Sequence, residues 1–173
     1  MSVFQSLSDE HRLIWGLIGR LEACLQEPDG RVARRDARAV LLVLLRALQG
    51  HGELENMIFE RAEGAASSEA ARALAEVERQ HEALEALRLE AVDLLEKAAD
   101  LDLARLRPLA RRLAGALRAH FSDEERELWP LWKNVESRSM RRGLDRRAAE
   151  RVKDLKAEVR GWWTAVDEYL PGR

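Results

Sequence analysis

Apolar residues recur along this chain in steps of three and four, and the steps sort into four long stripes. That spacing predicts helices packed on neighbours at shallow angles. The first stripe, His11, Ile14, Ile18, Leu21 and Leu25, predicts a helix from about Ser8 to Gln26. Ser8 is its expected N-cap, with Asp9 and Glu10 in the first turn. The second stripe, Val40, Leu44, Leu48, His51, Glu55 and Ile58, predicts a helix from about Val32 to Arg61. The third runs Leu74, Val77, His81, Leu84, Leu87, Ala91 and Leu94, in a helix from about Ser68 to Ala98. The fourth runs Leu106, Leu109, Leu113, Leu117, His120, Glu124 and Leu128, in a helix from about Leu106 to Trp129. Pro108 then falls in the first turn, where its missing N–H costs nothing, and Pro130 ends or kinks the helix. A fifth helix is expected from about Arg141 to Tyr169. It carries an excess of basic residues and an apolar side of Leu144, Val152, Leu155, Val159 and Trp162 or Trp163. Its basic face reads as solvated, with an anion- or partner-binding face as the alternative. The predicted fold is all-α: an up-down-up-down four-helix bundle with an additional C-terminal fifth helix. Residues 1–135 form the bundle and 136–173 an extension packed on it within the same domain.

Polar residues interrupt these seams at a few places, and the histidines do so with a pattern. The chain has four of them, His11, His51, His81 and His120. The midpoint of 11 and 51 falls at 31, beside Pro28-Asp29-Gly30. The midpoint of 51 and 81 is 66, within Gly64-Ala65-Ala66-Ser67-Ser68, and that of 81 and 120 lies between Asp100 and Leu101. In antiparallel helices, equal distance from a turn means equal height. All four imidazoles are therefore expected in one layer.

Two of the histidines head the same motif. His51-Gly52-Glu53-Leu54-Glu55 and His120-Phe121-Ser122-Asp123-Glu124 are both H-x-x-x-E. Residues four apart share a helix face, roughly 5–6 Å between Cβ atoms, so imidazole and carboxylate can bind one ion or the carboxylate can bridge two. Four imidazoles and two bridging carboxylates give each of two cations two nitrogens and two oxygens. An oxo or hydroxo bridge brings each to five ligands. This donor mixture suits iron or manganese better than the thiolate-rich sets of structural zinc. A lone seam histidine or glutamate is ordinarily a hydrogen-bonded core residue. Two buried carboxylates at one level need compensation, and a pair of cations provides it.

The remaining composition narrows the classes of function. At 173 residues the chain is long enough to bury a core as one domain. Lys plus Arg number 29 against 31 Asp plus Glu, so no charge field draws it to nucleic acid. The longest dense apolar run, Ala39–Leu45, is too short to span a bilayer, and no membrane association is expected. The first residues lack a basic region followed by an apolar core, so no secretory signal is expected. Cys24 is the sole cysteine, which excludes an internal disulfide and fits a reducing, cytoplasmic setting. Its expected state is a buried, inert thiol. No phosphate loop, nucleophile elbow or cysteine metal cluster is present in the sequence.

The order His, H-x-x-x-E, His, H-x-x-x-E on four successive helices resembles the hemerythrin-like, or HHE cation-binding, domain. The flanking residues are similar too: Asp9-Glu10-His11-Arg12, Gln80-His81-Glu82-Ala83-Leu84, and His120-Phe121 through Glu124-Glu125 to Leu128-Trp129-Pro130. The resemblance covers about residues 7–135. It implies a non-haem di-iron centre with a bridging oxygen, iron being favoured over manganese. His11 and His51 would serve one iron, His81 and His120 the other, and Glu55 and Glu124 would bridge. The chain departs from the oxygen-carrying members on helix three, where H-x-x-x-H supplies a fifth histidine and this chain has Glu85. Glu85 is expected either to ligate the second iron or to pair with an arginine. Glu125 competes with Glu124 for the bridge if the helix is locally widened, and Glu124 repeats the 51–55 spacing. A ferritin-like reading fails, because it needs E-x-x-H twice and only Glu78–His81 fits; Leu48 and Leu117 precede His51 and His120. Leu117 suits an apolar wall beside the cations, with Trp15 and Phe59 either joining it or packing in the core. The implied function is binding or sensing of dioxygen or nitric oxide, or of iron itself. The alternative is a di-iron oxidoreductase acting on peroxide, dioxygen or nitric oxide, or an iron donor in iron–sulfur repair. Trp162-Trp163 and Tyr169-Leu170 either close the bundle or form a homodimer surface.

Overall fold

The computed structural model describes residues 3–59, 68–97 and 101–131, together with 146, 150, 153, 154, 157, 160 and 161. All helical elements among them are long: α1 (Val3–Gln26), α2 (Arg31–Phe59), α3 (Ser68–Lys97) and α4 (Leu103–Asp123). A π-helical turn, Glu124–Leu128, continues α4, and helical backbone runs on to Leu131. No strand occurs among the described residues. Each helix packs on its sequence neighbours, and α1 also packs on α4, which closes a four-helix bundle. The α1–α2 and α3–α4 pairs are the most intimate, whereas α2 and α3 touch sparsely.

Local chemistry sets the helix ends. Between α1 and α2, Asp29 accepts a hydrogen bond from Arg34 Nε at 2.7 Å, and the Gly30 carbonyl accepts the Arg34 N–H at 3.0 Å. Arg107 of α4 donates from Nε to the Leu25 carbonyl at 2.9 Å, satisfying one of the acceptors left over at the end of α1. Asp102 caps α4, its carboxylate accepting from the N–H groups of Ala104 and Arg105. The cap starts α4 three residues before the expected Leu106, so Pro108 lies in the second turn, on the exposed side. Helix α1 also starts early, at Val3 and not at Ser8. Phe4 and Leu7 extend its stripe by one turn and bury, and that burial outweighs a serine cap. Helix α4 passes through Pro130. In an α-helix the proline ring would meet the carbonyl four residues back; here the preceding turn is widened, with Trp129 N–H bonded to Glu124 O.

The interior has two apolar blocks. The larger draws on all four helices, with Ile14, Leu21, Leu41, Leu44, Leu109 and Leu113 essentially inaccessible to solvent. The smaller holds Phe4, Leu7, Leu54, Leu74, Val77, Leu128 and Trp129. Cys24 is half-buried against the larger block. The four histidines and two glutamates fall where the two blocks meet: His11 between Leu7 and Ile14, His51 and Glu55 on either side of Leu54, His81 after Val77, and His120 and Glu124 on either side of Phe121, ahead of Leu128. Of the expected fifth helix, the described residues, Arg146, Glu150, Lys153, Asp154, Ala157, Arg160 and Gly161, are helical and exposed. Leu144, Val152, Leu155, Val159, Trp162, Trp163, Tyr169 and Leu170 lie outside the described residues, as do the side chains of Ile58 and Phe59.

Candidate metal centre

The four imidazoles fall in one layer across the bundle. Ring centroids are 4.9 Å apart for His11 and His51, 4.8 Å for His81 and His120, and 6.3 Å for His51 and His120. Glu55 and Glu124 rise between them, 1 % and 0 % exposed. His51 Nε2 is 2.8 Å from Glu55 Oε1 and His81 Nε2 is 3.0 Å from Glu55 Oε2, so one carboxylate reaches both sides of the layer. Glu124 Oε2 does the same, 3.3 Å from His11 Nε2 and 3.9 Å from His120 Nε2. Two sets of four donors result, His11, His51, Glu55 and Glu124, and Glu55, His81, His120 and Glu124, each with ligand atoms within 4.8 Å of one another. The carboxylates are common to both.

These groups approach without satisfying one another. His11 Nε2, His51 Nε2, Glu55 Oε1 and both Glu124 oxygens are buried yet lack aligned hydrogen bonds. Orphaned buried polar atoms are costly, and here several of them aim at common points. A pair of divalent or trivalent cations with nitrogen and oxygen ligands fits that arrangement. The outer ring nitrogens are tied down as second-layer groups usually tie metal-binding histidines. His51 Nδ1 donates to Glu10 Oε2 at 3.0 Å, and His11 Nδ1 to Glu125 Oε1 at 2.8 Å. His120 Nδ1 donates to Gln80 Oε1 at 3.3 Å, and the Gln80 amide is itself held by Asp123 Oδ2 at 2.7 Å. The outer bonds put protons on Nδ1 and leave Nε2 for the interior.

Protonation follows from these surroundings. Burial, then the neighbouring His51, pushes His11 down to about 2. Burial likewise lowers His120, against the pull of Glu55. His51 moves the other way: burial opposes its charge, but Glu55 and Glu10 raise it to about 10. Glu55 is buried, which alone would raise it, yet His51, His120 and His81 hold it well below the ordinary carboxylate range. Glu124 is driven well above that range by burial and by Glu55. Without a cation the layer thus favours the protonated form of His51, and the shift of Glu124 favours its protonated form too.

Six of the seven residues expected at the site are brought together. Glu85 is not one of them: its side chain is 52 % exposed and forks onto Arg88, with contacts of 2.6 and 2.7 Å. The Arg88 guanidinium lowers its carboxyl. The alternative partner raised for Glu85, an arginine, is the one it has. The widened turn on α4 does exist, but Glu124 enters the layer and Glu125 takes the outer nitrogen of His11. Leu117 lines a cleft beside the layer. Trp15 packs on Phe121 in the larger block, edge to face at 5.8 Å. Glu10 and Gln80 were missed as functional residues. Each lies on its helix's apolar stripe (7, 10, 14 and 77, 80, 84), and a polar residue in such a place is the signal that was there to read.

An all-α bundle with buried histidines and carboxylates shared between two donor sets is the interior of a cation-binding four-helix protein. The family profile described as hemerythrin HHE cation binding domain matches residues 2–132, and the chain belongs to that family. No curated protein and no solved structure matches the chain. No helix among the described residues is long and apolar enough to cross a membrane.

Proposed function

We propose that this protein is a non-haem di-iron protein that binds or senses a small diatomic ligand, dioxygen or nitric oxide. His11 and His51 would hold one iron and His81 and His120 the other, with Glu55 and Glu124 shared between them; Glu85, turned to Arg88, would take no part. The observation that carries the reading is the sharing of two inaccessible carboxylates by two histidine pairs. Reduced iron at such a site supplies an electron-rich centre to which diatomic molecules bind. The chain's own residues do the rest. Glu10, Glu125 and Gln80 fix the ring orientations. Phe121 stacks on His11 with ring centroids 3.8 Å apart and keeps water from that side. Leu48, Leu84 and Leu117 give the approach from solvent an apolar wall. A cytoplasmic setting and binding of small ligands, without nucleic acid or membrane, complete the reading.

A cleft of about 470 Å³ beside the layer exceeds what a diatomic molecule needs. That favours, as a second reading, a di-iron oxidoreductase whose substrate or external reductant docks there. One experiment separates them: reconstitute with ferrous iron under anaerobic conditions, count the metal, then admit air and follow the visible spectrum. A band that appears with air and vanishes on deoxygenation supports the carrier or sensor. Irreversible oxidation with turnover of peroxide supports the oxidoreductase. Failure to take up two irons per chain defeats both.

A further inference from the structure

Two neighbours in sequence hold opposite nitrogens of one ring. Glu124 Oε2 lies 3.3 Å from His11 Nε2, and Glu125 Oε1 lies 2.8 Å from His11 Nδ1. Consecutive residues of an α-helix diverge by about 100°, which carries the second carboxylate away from a ring that faces the first. A turn that holds an extra residue lessens that angle. The backbone shows where the widening begins. Glu124 N–H still reaches His120 O, as in an ordinary helix, but Trp129 N–H bonds five residues back to Glu124 O. Arg126 braces the turn from outside, its Nε on the Ser122 carbonyl at 3.3 Å and its guanidinium on Asp123 at 3.2 Å. The residues beyond the turn register the same shift. In a regular helix Leu128 would lie roughly 80° and Trp129 roughly 180° around the axis from His120, the latter facing solvent. One extra residue brings both back by roughly 100°. Both are buried, 1 % and 5 % exposed, in the smaller block with Phe4 and Leu7. Pro130 is left on the exposed side. In a closed turn its ring would meet the Arg126 carbonyl, and it has no N–H to offer that oxygen. Helix α2 supplies the contrast: it has the same H-x-x-x-E motif with no proline after it, stays α-helical to Phe59, and leaves the residue after Glu55, Asn56, exposed.

We propose that Pro130 and the extra residue of this turn are positioning elements of the metal layer: they keep α4 widened, so that Glu124 enters the layer while its neighbour Glu125 takes the outer nitrogen of the same His11 ring. This rests on the di-metal reading above and assigns a role to residues beyond its ligands. Burial of Leu128 and Trp129 favours the open turn from inside the bundle, and Pro130 blocks its closure from the solvent side. The effect on a cation passes through Glu125, which fixes the orientation of His11 and strengthens it as a donor.

Titrating stripped full-length protein with cobalt(II), followed by visible absorption, tests the positioning role without relying on activity. Glu125→Ala should loosen cobalt by about 10–100-fold. Deleting the exposed Glu127 together with Pro130→Ala closes the turn and keeps Leu128 and Trp129 on the buried side. This closed-turn protein should remain a helical bundle that unfolds cooperatively in urea, yet bind cobalt at least about tenfold more loosely. Adding Glu125→Ala to it should cost nothing further, because the turn acts through that carboxylate. Pro130→Ala alone lets the closed form compete. It should loosen cobalt by at least about threefold with helicity unchanged by circular dichroism, and it decides the matter if the deletion variant does not fold. A folded closed-turn protein with wild-type affinity, a Glu125→Ala loss as large there as in the wild type, or a Pro130→Ala protein that binds like the wild type would each overturn the positioning role and leave the di-metal reading intact. A wild-type chain that binds no cobalt overturns both.

Discussion

The larger apolar block and the histidine–glutamate layer occupy the same bundle and are held by opposite means. In the block, Ile14, Leu44, Leu109 and their neighbours satisfy one another by contact, and burial itself stabilises them. In the layer, two carboxylates and three imidazoles are buried at a cost, with His81 partly so, and the inward atoms of His11, His51 and Glu124 approach their neighbours without well-formed hydrogen bonds. The block explains why the chain folds as four helices. The layer is explained only by something that the protein binds. Stability and function therefore reside in adjacent slabs, and changes to one should leave the signature of the other.

The largest expected effect is at the carboxylate that both halves share. Glu55→Ala should abolish cation loading on both sides, with far-ultraviolet circular dichroism still showing a helical bundle. Retention of one full equivalent of metal would mean that Glu55 does not bridge. Next comes the block. Leu109→Ala should cost about 2–5 kcal/mol in urea unfolding, by the same amount in stripped and loaded protein; a loss seen in one form only would tie the block to the layer. Acid and base sharpen the contrast further. His51, near 10, holds its proton at neutral pH when no cation is present, and loading must expel it; the upward shift of Glu124 acts in the same direction. Loading should acidify a weakly buffered solution, and affinity should climb with rising pH, about tenfold per pH unit for each proton displaced. A flat profile between pH 6 and 8 would contradict the protonation pattern. The smallest effect is expected at Glu85. Its exposed pair with Arg88 is worth only a few tenths of a kcal/mol. Glu85→Ala should match wild type in metal content and in visible spectrum, and a shifted spectrum would restore it as a ligand.

Much of this was legible in the sequence because it is local. Steps of three and four gave the four helices, and the H-x-x-x-E repeats placed His51 with Glu55 and His120 with Glu124. The mirrored spacing about the turns put four rings at one height, since helix rise converts residue count to distance. The helix ends were less readable: the Ser8 cap lost to the burial of Phe4 and Leu7, and Asp102 capped α4 earlier than its stripe implied. The groups behind the histidines were not readable as pairs. Glu10 meets His51 across 41 residues, Gln80 meets His120 across 40, and Glu125 meets His11 across 114. Such partners are chosen by the packing of helices, and in the case of Glu125 by one widened turn. Glu85 was ambiguous for a complementary reason: it shares the i+4 spacing with Glu55 and Glu124, but an arginine three residues on competes for it in solvent, and the structure pairs the two.

The shared carboxylates make the central claim quantitative. Protein purified without chelator, loaded with ferrous iron under anaerobic conditions and freed of excess metal, should carry two irons per chain by elemental analysis, and the His51→Ala, His81→Ala double variant should carry none. A fully helical wild-type bundle that retains no iron, or that holds as much as the double variant, would contradict it.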